Sequence, residues 1–171
     1  MGITSNFIQQ HEDMLSVAKE MSKLLDPNIL GKDAQPVRSL LSKLSAKLKI
    51  HLASEDKSLY PELLNHKDAN VKATAKKFMD EMGGISAVFV KYTEKWVSAD
   101  AIQKNPNDFI KETEGLFSAL AKRIEKENKE LYETKMEQGF TKLQITPLFM
   151  PIATLQNTLK EPFDRNQYPN R

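Results

Sequence analysis

The chain has 171 residues, 40% of them hydrophobic and 28% charged, which suits one soluble domain with a sizeable core and leaves little room for two. Its 25 Lys and Arg nearly balance 23 Asp and Glu, and the resulting net charge of +2 supplies no field to attract nucleic acid or an anionic membrane surface. The absence of cysteine excludes disulfides, zinc–thiolate sites and thiol chemistry, and the start Met1-Gly2-Ile3-Thr4-Ser5-Asn6 has no basic leader or long apolar run, so a cytoplasmic protein is expected.

The first segment, from about Thr4 to Leu25, carries Phe7, Ile8, His11, Met14, Leu15, Ala18, Met21 and Leu25 at three-and-four spacing, the stripe of an amphipathic helix. Asp26-Pro27-Asn28 and Gly31 are expected to break it. Asp33 is suited to cap a second helix with Pro36 in its first turn, and the stripe Val37, Leu40, Leu41, Leu44, Leu48, His51, Leu52, Glu55 and Leu59 is expected to end near Pro61. Asp68 can cap a third helix bearing Val71, Ala75, Phe78, Met82, Ile85, Phe89, Tyr92 and Trp96, an alternating four-three rhythm that fits a bundle seam. Within it, Gly83-Gly84 predicts a close helix approach, a kink or a widened turn. Asn105-Pro106 opens a fourth helix with the stripe Phe109, Thr113, Leu116, Phe117, Leu120, Ile124, Glu127 and Leu131, stopped by Gly139.

Short polar connections between long helices predict an all-α, antiparallel up-down-up-down four-helix bundle over residues 1–139. Residues 140–171 read differently. Pro147, Pro151, Pro162 and Pro169 exclude a long helix there, yet Leu143, Ile145, Leu148, Phe149, Met150 and Ile152 are too apolar for an inert tail. This C-terminal arm is expected to dock on the bundle or on a second subunit, through which a homodimer or a protein partner would be engaged; neither nucleic acid nor membrane is expected as a partner.

Two stretches superimpose without gaps. His51-Leu52-Ala53-Ser54-Glu55-Asp56-Lys57-Ser58-Leu59-Tyr60 matches Arg123-Ile124-Glu125-Lys126-Glu127-Asn128-Lys129-Glu130-Leu131-Tyr132, with Glu, Leu and Tyr in step. Upstream, His11 stands 40 residues before His51 and Met82 stands 41 before Arg123. The chain is thus two similar helical hairpins, each offering one position on its first helix and an i, i+4 pair on its second.

That arrangement has a chemistry. Residues four apart share a helical face, so His51 and Glu55 can reach a common point, and His11 on the neighbouring stripe can face it. Two imidazoles and a carboxylate around one spot suit iron, manganese or zinc. A carboxylate on an apolar stripe is costly unless a metal or another cation meets it.

The stripe histidine His11, followed by His51-x-x-x-Glu55 and Leu59-Tyr60-Pro61, resembles the hemerythrin HHE cation-binding family over about residues 4–135. The resemblance implies a four-helix bundle with a non-heme di-iron site, used in that family for oxygen binding, oxygen or redox sensing, iron handling and nitric oxide chemistry. It also implies a departure: the family's histidines on the third and fourth helices correspond to Met82 and Arg123. His11, His51, Glu55 and Glu127 remain as candidate ligands, while His66 lies past the end of the second helix. Arg123 is expected to pair with Glu55 or Glu127 and to stand in for a lost metal charge. The expectation is therefore a reduced site holding one iron or other transition-metal ion or none, in a regulatory, sensing or stress-related protein and not an enzyme or a reversible oxygen carrier. The alternative is a metal-free helical module that acts through its C-terminal arm.

Overall fold

The computed structural model describes residues 3–132, without the side chains of residues 3–5, 82, 83, 131 and 132. The predicted arm at 140–171, the stop at Gly139 and the inward placement of the Met82 side chain lie outside the described residues. All regular structure among the described residues is helical: α1 (Ile3–Ser22), α2 (Pro27–Lys32), α3 (Gln35–Ser54), α4 (Tyr60–Leu64), α5 (Ala69–Lys95), α6 (Ala99–Lys104) and α7 (Pro106–Lys126). Two wide π turns complete the set, Glu55–Leu59 joining α3 to α4 and Glu127–Tyr132 following α7.

The capping signals explain most boundaries. Asp68 accepts a hydrogen bond from the Asn70 N–H at 2.8 Å and starts α5, and Pro106 occupies the first turn of α7, where its missing N–H costs nothing. Asp26-Pro27 does more than break α1. Asp26 accepts from the Asn28 and Ile29 N–H groups at 2.7 and 3.2 Å, and the pair nucleates the short helix α2, which the apolar periodicity does not reveal. Ser98 starts the equally short α6 by accepting from the Ala101 N–H at 3.2 Å. Asp33 accepts from the Gln35 N–H at 2.9 Å, although Ala34 holds the capping position of α3. Pro61 does not end the second helical stretch. The π turn before it places Pro61 in the first turn of α4, and helix continues to Leu64.

The α5 helix runs through Gly83-Gly84 without a widened turn, and a Cβ built on Gly84 would meet nothing within 4 Å. The widened turns occur instead at Glu55 and Glu127.

Two apolar clusters form the interior. The larger runs from Met14, Val17 and Met21 through Leu41, Leu44 and Leu48 to Phe89, Trp96, Phe109, Leu116 and Ile124. The smaller gathers Phe7, Leu59, Tyr60, Leu63, Val71, Ala75 and Phe78. Each fully buried aliphatic or aromatic side chain contributes roughly 1.5–3 kcal/mol relative to exposure. Along α1, His11 falls between Phe7 of the smaller cluster and Met14 of the larger; along α3 and its π turn, His51 and Glu55 fall between Leu48 and Leu59. A buried polar layer thus divides the core, and the candidate site is that layer.

Candidate metal centre

The layer is assembled from five elements, α1, α3, α7 and the two π turns. α1 presents His11, α3 presents His51, and the two π turns begin with Glu55 and Glu127, so that Glu55 lies one turn beyond His51 and Glu127 one turn beyond Arg123. His11 and His51 are 1% exposed, Glu55 and Glu127 are 0% exposed and Arg123 is 4% exposed, so all five are closed off from bulk water. The Nε2 atoms of His11 and His51 approach to 3.1 Å. Glu127 Oε2 lies 3.1 Å from His11 Nε2 and 4.0 Å from His51 Nε2, and Glu55 Oε1 lies 3.7 Å from His51 Nε2.

Behind these atoms stand their supports. His11 Nδ1 is 3.0 Å from Asn128 Oδ1, and His51 Nδ1 is 3.0 Å from Gln10 Oε1. Arg123 donates from Nε to Glu127 Oε1 at 2.6 Å, and from Nη2 to the Phe78 carbonyl at 3.0 Å and the Tyr60 hydroxyl at 3.2 Å. Its Nη1 reaches Glu81 Oε2 at 3.4 Å, and its guanidinium carbon sits 4.4 Å from the centre of the Phe78 ring. The Tyr60 hydroxyl in turn donates to Glu55 Oε2 at 3.4 Å.

Burial and charge work against each other here. Burial, aided by the neighbouring Glu127 carboxylate, pushes the Glu55 carboxyl up to about 8, with Arg123 and Tyr60 only partly opposing it. Burial also acts to raise Glu127, but His11, Arg123 and His51 outweigh it and hold that carboxyl below its ordinary value. His51 is pushed down to about 4 by burial first and by His11 second, so its ring is neutral at neutral pH.

The structure brings His11, His51, Glu55, Glu127 and Arg123 into one layer. His66 lies elsewhere, in the turn before α5, where its Nδ1 accepts from the Asp68 N–H at 3.1 Å. Sequence reading missed Gln10, Asn128, Glu81 and the Phe78 carbonyl. Gln10 and Asn128 are half-buried and off the apolar stripes, so periodicity gives no sign of them; their only signal is adjacency to His11 and Glu127.

Fit to a metal ion can be judged from the polar atoms themselves. His11, His51 and Glu127 each offer one ligand atom, and these atoms all lie within 4.8 Å of one another. Glu55 Oε1 and Glu127 Oε2 are buried without a hydrogen-bond partner, a costly state for two carboxylate oxygens. Glu127 Oε2 faces both histidine Nε2 atoms, and Glu55 Oε1 faces that of His51. Two imidazole nitrogens and a carboxylate oxygen converging on one point form a donor set suited to a first-row divalent ion, which would satisfy the orphaned Glu127 Oε2.

A family model described as "Hemerythrin HHE cation binding domain" matches residues 2–134. No curated protein and no solved structure matches the chain.

Proposed function

The chain belongs to the hemerythrin HHE cation-binding family, and from that premise we propose that it binds one transition-metal ion, iron foremost, through His11, His51, Glu127 and Glu55, in a regulatory, sensing or stress-related role. The observation that carries this reading is the pair of orphaned, fully buried oxygens, Glu127 Oε2 turned toward both histidine Nε2 atoms and Glu55 Oε1 turned toward that of His51. When bound, the ion supplies a Lewis-acidic, redox-capable centre inside an otherwise closed core. The chain's own part is to orient two imidazoles, present two carboxylates and exclude bulk water. With every ligand at most 1% exposed, access suits an ion or a small diatomic better than a bulky substrate.

One ion is proposed, not two. The guanidinium of Arg123 stands beside Glu127 at 2.6 Å, on the side where the second hairpin's histidine would have stood by the internal repeat. A second divalent ion would face that fixed cation at short range in a poorly screened interior. The proposed frame is an up-down-up-down antiparallel bundle. Its support is pairing in reverse order: His11 with His51 and Asp13 with Lys47 between α1 and α3, and Glu81 with Lys126 and Tyr92 with Thr113 between α5 and α7.

A second reading, a metal-free bundle acting through residues 140–171, draws on the self-neutralised half of the layer. Arg123 already compensates Glu127, and Glu55 is held protonated at neutral pH. Anaerobic loading of the full chain with ferrous iron, followed by elemental analysis, separates the two. One equivalent that disappears in His51→Ala is the expected result; two equivalents overturn the single-ion reading, and none under any loading condition leaves the metal-free module.

A further inference from the structure

We propose that Gln10 and Asn128 are positioning residues that fix the tautomer of both site histidines, keeping a proton on each Nδ1 and turning each Nε2 toward the ion. The inference deepens the metal-binding reading and rests on it for its purpose. It starts from two contacts of equal length: His11 Nδ1 to Asn128 Oδ1 and His51 Nδ1 to Gln10 Oε1, both 3.0 Å. A side-chain amide oxygen only accepts hydrogen bonds, so the ring nitrogen facing it must be the donor. With a proton held on Nδ1, Nε2 is the ring atom left to meet an ion, and it faces the other histidine and Glu127.

The supply of these amides is economical in sequence. Gln10 precedes His11 on α1 but serves His51 of α3, and Asn128 follows Glu127 in the second π turn but serves His11 of α1. Each of these two elements therefore gives a ligand to the centre and an orienting group to a histidine of a different element. Adjacent residues project about 100° apart on a regular α-helix. The wider turn beginning at Glu127 narrows that angle, so Glu127 and Asn128 can both address the interior.

The partners are also neutral. The layer already pairs its one guanidinium with Glu127, and a carboxylate behind either ring would add an uncompensated charge to a closed interior. An amide oxygen orients the ring without adding that charge.

Long-range proton–nitrogen NMR of the histidine rings in the metal-free full chain reads the tautomers directly. A protonated, pyrrole-type Nδ1 on both His11 and His51 is expected; a bare Nδ1 on either ring overturns the proposal. Competition titration with zinc then measures the consequence. Gln10→Leu and Asn128→Leu are expected to bind zinc about 10- to 100-fold more weakly, while Gln10→Glu and Asn128→Asp, which keep an acceptor oxygen, retain both the tautomer and the binding. Unchanged affinity in the leucine variants, with native thermal unfolding, overturns the positioning role. If the wild-type chain takes up no zinc, cobalt or iron, the metal reading fails, and the ring spectra of the same variants still decide what the amides do.

Discussion

Arg123 is the residue on which the layer's charge balance turns. Its guanidinium donates to Glu127, Tyr60, the Phe78 carbonyl and Glu81 and lies against the Phe78 ring, all at 4% exposure. Removing one partner of a buried pair strands the other charge, a loss of about 3–5 kcal/mol. Arg123→Ala is therefore expected to destabilise the metal-free protein by that order in chemical denaturation, with Glu127→Gln recovering part of the loss in the double variant. Glu55 sets a pH dependence of the opposite kind to His51. Its folded pKa is raised from 4.5 to about 8, so the stability it contributes is full below 4.5 and is lost as pH rises toward 8. The His51 pKa is depressed from 6.5 to about 4, so its contribution is present above 6.5 and is lost as pH falls toward 4. In the metal-free protein, thermal midpoints followed across this range are expected to fall on the alkaline side in wild type and to fall much less in Glu55→Gln. Equal slopes in the two proteins would show that Glu55 titrates as an ordinary carboxyl.

At the scale of elements, the internal repeat reappears as backbone geometry. Glu55 and Glu127 occupy the same place in the aligned stretches, both have φ −62° and ψ −48°, and both open a π turn after a long α-helix. The N–H of Glu55 bonds the carbonyls of His51 and Leu52, and that of Glu127 bonds those of Arg123 and Ile124, so the two turns share one hydrogen-bond pattern. Wide turns inside helices frequently accompany functional sites because they redirect side chains that a regular helix would carry past. Two glycines sit in the long helices without any such task. Gly84 in α5 and Gly115 in α7 are exposed, and a Cβ at either meets nothing within 4 Å. Gly84→Ala and Gly115→Ala are expected to raise stability by roughly 0.5–1 kcal/mol each, since alanine restricts the unfolded chain and favours helix. A lowered midpoint in either variant would show that something packs at that glycine.

Across the whole molecule, a polar layer set between two apolar clusters gives the bundle its internal register. Sliding α1, α3 or α7 by one turn would place His11, His51, Glu55 or Arg123 among apolar side chains and leave their partners uncompensated. The layer thus works against misregistered packings while it builds the site. The other feature at this scale is the segment 140–171, proposed as the route to a second copy or a protein partner on the strength of Leu143, Ile145, Leu148, Phe149, Met150 and Ile152. Deleting these residues is expected to lower the thermal midpoint or change the oligomeric mass measured by light scattering. A truncated chain that keeps both values marks the segment as a passive tail.

The sequence by itself determined that the chain is helical, that its long helices carry apolar stripes, and that His11, His51 and Glu55 interrupt those stripes at spacings that share a face. These are properties of local periodicity, and local periodicity is written in the order of residues. The repeat likewise marked Arg123 and Glu127 as the counterparts of His51 and Glu55. Only the tertiary structure decided that Glu127 turns inward, that Arg123 spends its donors on Glu127, Tyr60 and Phe78, and that Gln10 and Asn128 back the two histidines. Those choices depend on which side chains from distant helices meet, and on π turns that shift the helical phase at the two glutamates. A period of 3.6 residues carries no record of such a shift, so the contacts that complete the site had to come from the folded chain.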